Sequence, residues 1–198
     1  MSKVGSIRYD FSVFGEMDSY LFREGNHFRL YEKLGAQVVD DGKDSGTYFA
    51  LWAPNAREVS VIGTFNDWDR TRHYLSPRKD NSGVWEGFAP GVGKGALYKY
   101  SLRSRSGAVM EKGDPFASFW EIAPKTASIV WPADYKWNDG DWMKNRRERN
   151  ALGAPMSIYE VHVGSWRRKP AEGFRSLSYR ELGHELGEYV RDAGFTHV

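Results

Sequence analysis

Between Thr47 and Trp131 the apolar residues come in short runs of four to six, and each run reads as a β-strand. The runs are Tyr48–Trp52, Val59–Gly63, Val84–Phe88, Tyr98–Leu102 and Ser128–Trp131, each alternating or continuously apolar. Turn formers separate them: Ala-Pro-Asn-Ala at 53–56, Phe-Asn-Asp-Trp at 65–68, a glycine-rich stretch at 90–95 and Ser-Gly at 106–107. Short strands at this spacing predict a β-sandwich of roughly a hundred residues. Upstream, Tyr20, Phe22, Phe28 and Tyr31 anchor a segment that reads as helical or irregular. Leu30, Leu34 and Gly35 suggest a short helix ending at the glycine.

The pattern changes after Pro155. Ser157–Trp166 (SIYEVHVGSW) reads as a buried strand running out into a loop. Ser178–Ala193 places Leu182, Leu186, Tyr189, Val190 and Ala193 on one helical face. Ser178 with Glu181 three residues on forms a capping box, Gly194 stops the helix, and Phe195–Val198 begins a second strand. Strand, helix, strand is the opening unit of a parallel α/β domain, which needs several such units to bury its sheet. The expected organisation is a lead over 1–40, a sandwich over 41–137, a solvated polar linker over 138–155 and a first β-α unit over 156–198, cut within its second strand.

Composition narrows the chemistry. The chain has 198 residues, 40% hydrophobic and 27% charged, as an ordinary globular protein does. Lys plus Arg (28) nearly balance Asp plus Glu (26), giving a net charge of +2, which argues against a nucleic-acid partner. With no cysteine, disulfides, thiolate metal sites and a cysteine nucleophile are excluded. No early apolar segment follows Met1, and no run reaches the ~18 apolar residues of a membrane span. A cytoplasmic protein is therefore expected. No internal repeat, metal-ligand cluster, Ser-His-Asp arrangement or phosphate-binding glycine loop is visible, so no cofactor is implied. Aromatic residues are abundant at 15%, with 8 Trp and 11 Tyr. Tryptophan faces stack on sugar rings, but they also fill cores.

Several stretches resemble one family. Leu21–Ala36 (LFREGNHFRLYEKLGA) is similar to the N-terminal signature of bacterial 1,4-α-glucan (glycogen) branching enzymes. Phe49–Ala56 (FALWAPNA) with Val59–Trp68 (VSVIGTFNDW) resembles a family 48 carbohydrate-binding module, an immunoglobulin-like β-sandwich. Ser157–Arg167 and Gly194–Val198 resemble the first strand and the start of the second strand of the catalytic (β/α)8 barrel in those enzymes. The sandwich motif alone is shared with debranching and trehalose-releasing hydrolases and with glycogen-binding kinase subunits. A self-standing glucan-binding module and a debranching or trehalose-releasing enzyme are the alternatives.

The resemblance implies a retaining transfer of α-1,4-glucan segments onto 6-hydroxyls, without metal or organic cofactor. Such chemistry needs two carboxyl groups ~5 to 5.5 Å apart. The family's catalytic carboxylates lie on later barrel strands, beyond Val198, so no catalytic residue is carried over and the chain is expected to be inactive alone. The implied partners are α-glucans and the chain's own barrel. The implied substrate contacts are Trp68 and Asn66 of the Phe-Asn-Asp-Trp turn and Lys99, between Tyr98 and Tyr100. The family's second stacking tryptophan, just before Asp114-Pro115, has no counterpart in Gly107–Gly113. Glu160 and His162 share a strand face but read as structural or active-site-floor residues. Trp52, Trp85 and Trp131 are expected in the core. Trp120, Trp137 and Trp142 would flank the linker and dock the sandwich on the barrel, and Trp166 would sit on the barrel's loop face.

Overall fold

The computed structural model describes residues 5–198; residues 1–4, the start of the expected lead, lie outside the described residues. The chain divides into two compact units, one ending at Tyr135 and the other spanning Lys136–Val198.

The first unit is two antiparallel sheets. Strands β1 (Gly35–Asp40), β2 (Ser45–Trp52), β4 (Ser76–Pro77) and β5 (Val84–Pro90) form one sheet in the order β1-β2-β5-β4. The other contains β3 (Ala56–Gly63), β6 (Leu97–Ser104), β7 (Val109–Lys112), β8 (Phe119–Trp120) and β9 (Ser128–Ile129), with order β3-β6-β9-β8 and β7 also paired to β6. The five expected strands all fall within observed ones, except that β9 stops at Ile129. The core lies between the sheets: Phe49 and Leu51 from β2 meet Val59, Val61, Tyr98 and Tyr100 from β3 and β6.

The other face of the first sheet is also covered. Helix α1 (Glu16–Arg23) and the chain around it bring Phe11, Phe14 and Phe22 onto Tyr48, Ala50, Val84 and Phe88. That double burial is why Tyr48–Leu51 reads as a continuous apolar run rather than an alternating one. A polar clamp fixes the lead in place. Ser12 Oγ donates to Glu86 at 2.7 Å, Arg78 donates to the same carboxylate at 2.8 Å, and the Tyr48 hydroxyl donates to it as well.

Several expectations need correction. The helix expected to end at Gly35 is only a single 3-10 turn at Leu30–Glu32, and residues 35–40 of the lead form edge strand β1. Trp52 and Trp131 are 54% and 37% exposed rather than core, and Trp85 is half-buried. Large indoles reach past strand ends, where their N–H finds a carbonyl: Trp52 donates to Ser82 O and Trp85 to Ala53 O. Tyrosines and phenylalanines fill the core instead. Trp120, expected beside the linker, is a β8 residue whose ring rests on Gly113.

In the second unit the expected linker contains helix α2 (Gly140–Arg149), with no buried residue. Asp141 in its first turn and three arginines in its last complement the helix dipole, and its Lys, Arg, Met and Glu are good helix formers. Helix α3 (Tyr179–Asp192) matches the expected one. Ser178 Oγ accepts from Glu181 N, and Glu181 accepts from Ser178 N at 2.8 Å. Leu182 and Leu186 are buried against Leu177, Tyr159, Val161, Trp166 and Val190. Ser157–Trp166 is not a buried strand. It makes one parallel bridge, Ile158 to His197, and is largely exposed. A single α/β unit supplies no neighbouring strands to cover it. Short ribbons β10 (Arg168–Lys169) and β11 (Arg175–Ser176) complete the unit.

Candidate functional site

The turn after β3 is built around one buried amide. Asn66 is 1% exposed. Its Oδ1 accepts from Gly63 N at 2.9 Å, and its Nδ2 donates to Val61 O and to His73 Nδ1, both at 3.0 Å. His73 completes the lock by donating Nε2–H to Gly5 O at 3.2 Å. Burial lowers the pKa of His73, in keeping with a neutral ring that accepts at Nδ1. Every polar atom of the Asn66 side chain is therefore committed within the protein. Asn66 shapes the turn and does not face solvent, which corrects its expected role as a sugar contact.

That lock sets the position of Trp68. Asp67 and Trp68 both have positive φ, 56° and 59°. Left-handed backbone costs a non-glycine residue about 1–2 kcal/mol, and here two such residues are consecutive. The turn is held by Trp68 N donating to Gly63 O at 3.0 Å and Asp69 N to Asn66 O at 3.0 Å. Gly63 is required by close approach, since a Cβ there would lie 2.1 Å from Leu97 O. The strained turn leaves the Trp68 ring 39% exposed.

Lys99 stands on the neighbouring strand at the same end of the sheet. It pairs with Ile62, next to Gly63, and is half-buried. Tyr98 and Tyr100 on either side turn inward, so strand alternation turns Lys99 outward. Its Nζ donates to Thr126 Oγ1 at 2.8 Å. Thr126 was missed from sequence because it lies in the loop joining β8 to β9 and carries no local signal.

A buried polar hub lies under Lys99. Asp114 Oδ2 accepts from the hydroxyls of Tyr98 (2.6 Å) and Tyr100 (3.3 Å), and Oδ1 accepts from Phe116 N at 2.8 Å. Burial raises the pKa of Asp114, and these three donors pull it the other way. Burial, with the Asp114 charge, also raises both tyrosine hydroxyls. The hub fixes both flanks of Lys99.

In the second unit, His162 Nδ1 meets Ser165 Oγ at 2.7 Å and Glu160 is exposed. The Trp166 indole donates to the Tyr159 hydroxyl at 3.0 Å and packs on Tyr189. Among the described residues no group of His, Asp and Glu is arranged to hold a metal ion, and no helix is long and apolar enough to cross a membrane.

Residues 33–117 match the carbohydrate-binding module 48 family (isoamylase N-terminal domain). The chain is 53% identical over 188 residues to the 1,4-alpha-glucan branching enzyme GlgB of Rubrobacter xylanophilus, covering 94% of this chain and 25% of that protein. It is 50% identical over 188 residues to GlgB of Aquifex aeolicus, covering 95% and 30%. The chain thus spans 25% to 30% of the length of these two relatives. Among solved structures, apo pullulanase from Klebsiella pneumoniae aligns with a TM-score of 0.50 and 25% identity, covering 71% of this chain and 16% of that one. The ligand-free PulA-G680L mutant of the same organism gives 0.50 and 24% over 68% of this chain and 14% of that one, a likeness of fold.

Proposed function

We propose that the sandwich holds α-glucan through Trp68 and Lys99; the match of residues 33–117 to the carbohydrate-binding module 48 family and the similarity of the whole chain to the N-terminal region of 1,4-alpha-glucan branching enzymes support this reading. The observation that carries the reading is the turn at 63–69. Two consecutive left-handed residues are offset by a buried amide lock that leaves the indole exposed, and an outward lysine stands on the neighbouring strand at the same end of the sheet. Strain maintained at an exposed site points to function rather than stability. The ring face stacks on the apolar face of a pyranose, and the ammonium donates to its hydroxyls. Lys99 is already aligned by Thr126, so little rotamer freedom remains to be lost on binding.

In the longer protein this region would deliver glucan chains to a barrel that moves α-1,4 segments onto 6-hydroxyls. Residues 156–198 would be the first β-α unit of that barrel, following a lead over 1–40, the module over 41–137 and a connecting stretch over 138–155. The parallel bridge between Ile158 and His197 across α3 supports this reading. A cytoplasmic location belongs to the same proposal.

Retaining transfer needs two closely placed carboxyl groups at strand ends. In this chain Glu160 is exposed and His162 is engaged with Ser165. We therefore expect the purified 198-residue chain to bind maltoheptaose and to form no α-1,6 links in amylose, as read by debranching and chain-length analysis. New branch points would overturn this division of labour.

A further inference from the structure

The lock that seats the Trp68 turn works in one direction only. Its ends are backbone groups whose roles cannot change: the Gly5 and Val61 carbonyls accept, and the Gly63 amide donates. Facing the Gly5 carbonyl at 3.2 Å, His73 Nε2 carries the hydrogen of a neutral ring. That leaves Nδ1 as the acceptor of Asn66 Nδ2–H at 3.0 Å. The Asn66 amide cannot turn over to suit a changed partner. Reversed, it would set its NH2 against the Gly63 N–H and its oxygen against the Val61 carbonyl. A proton on His73 Nδ1 therefore opposes two donors, on residues only 1% and 4% exposed, where solvent gives little relief.

The turn is the part that yields. His73 is pinned along β3, because Val61 N donates to His73 O at 2.9 Å and Leu75 N to Val59 O at 2.8 Å. Asp67 and Trp68, by contrast, are consecutive left-handed residues in an exposed turn, held through Gly63 and Asn66. Once Asn66 is displaced, little opposes their return to ordinary backbone. Burial is the main cause of the lowered His73 pKa; the Gly5 carbonyl and Asp69 favour the charged ring, and Arg72 disfavours it. From the turn, the uncharged Phe65 ring packs on His73 at 5.4 Å, edge to face.

We propose that His73 is a positioning residue through which pH controls glucan binding: its neutral ring seats Asn66, and with it Trp68, and a proton from solvent on Nδ1 unseats both. The proposal rests on the reading that Trp68 meets glucan, and it adds a regulation of that site. The seated state favours the neutral ring. It is therefore fully favoured above the ordinary histidine value of about 6.5 and loses ground as pH falls below it.

The test titrates the 198-residue chain with maltoheptaose by calorimetry at pH 7.5 and 5.0. NMR follows the His73 ring and the Trp68 indole of the sugar-free chain over the same range. Maltoheptaose carries no charge there, so a change in affinity comes from the protein. Wild type should bind about fivefold more weakly at pH 5.0 while its circular dichroism spectrum stays native, within the about tenfold expected from removing the indole. The Trp68 indole signal should shift with the same midpoint as the His73 ring. His73→Asn keeps an amide oxygen to accept near the place of Nδ1 and takes up no proton, so it should bind equally at the two pH values. If that variant does not fold, the wild-type affinities and the shared NMR midpoint still decide. A ring that stays neutral at pH 5.0, a protonated ring without movement of Trp68, or an unchanged affinity would overturn the proposal and leave Trp68 as a glucan contact. So would a pH effect that persists in His73→Asn, or a fall in affinity that comes with loss of the native spectrum. Absence of binding at pH 7.5 would remove the glucan reading, and this proposal with it.

Discussion

Replacing Asp114 with alanine is expected to lower the stability of the sandwich by about 3–5 kcal/mol. Three donors, the hydroxyls of Tyr98 and Tyr100 and the amide of Phe116, converge on a carboxylate that is fully buried. Removing the acceptor leaves all three unsatisfied, at about 1–3 kcal/mol for each buried group, and the contributions are not additive. At about 2–4 °C per kcal/mol for a chain of this size, the melting temperature should fall by about 6–20 °C, readable by circular dichroism. Tyr100→Phe, which removes only the longest of the three bonds, should cost far less. A loss under ~1 kcal/mol for Asp114→Ala would mean that the hub does not hold the sheet together.

The same residue predicts a pH dependence. Burial raises the pKa of Asp114 above that of the unfolded chain, which is about 3.9. The folded state therefore binds more protons between those two values. The associated stabilisation is complete below about pH 3.9 and is lost as pH rises through the folded value. Asp114→Asn cannot ionise, so this slope should vanish in the asparagine variant.

Phe49→Ala is the second large effect, expected to cost about 3–5 kcal/mol. Phe49 is completely buried, and it is the ring of the first sheet that meets the aromatic pair of the second. Its centroid lies 5.2 Å from Tyr98 and 6.5 Å from Tyr100, both in edge-to-face geometry, and 6.1 Å from Phe65 of the Trp68 turn. The alanine leaves a cavity where both sheets converge. Since Tyr98 and Tyr100 flank Lys99 and Phe65 precedes the turn, glucan affinity should fall along with stability. Phe49→Leu, keeping most of the volume, should cost well under half as much. Equal costs for the two would show that the site collapses around any substitution.

Local pattern carried most of the framework. The strands at 48–52, 59–63, 84–88 and 98–102 are each dictated by apolar runs between turn residues, and α3 by its capping box and one apolar face. Strands β7 and β8 carry no such signal, because both are short and exposed and exist only by pairing with β6 and β9. Strand β1 was hidden for a similar reason: its edge position gives it a weak, half-exposed pattern. Helix α2 is polar on every side, so its periodicity is silent even though its residues favour helix. Trp68 and Lys99 stand out in sequence through their motifs. The inward turn of Asn66 and the burial of Asp114 depend on register between distant strands, which no local pattern contains.

On the proposed function, the strained turn at 63–69 presents Trp68 to glucan. Calorimetric titration of the wild-type chain and Trp68→Ala with maltoheptaose, with circular dichroism to confirm the fold, is the decisive experiment. Loss of a stacked indole should weaken binding about tenfold while the spectrum stays native. Equal affinity in a natively folded Trp68→Ala chain would mean that the turn does not hold glucan through Trp68.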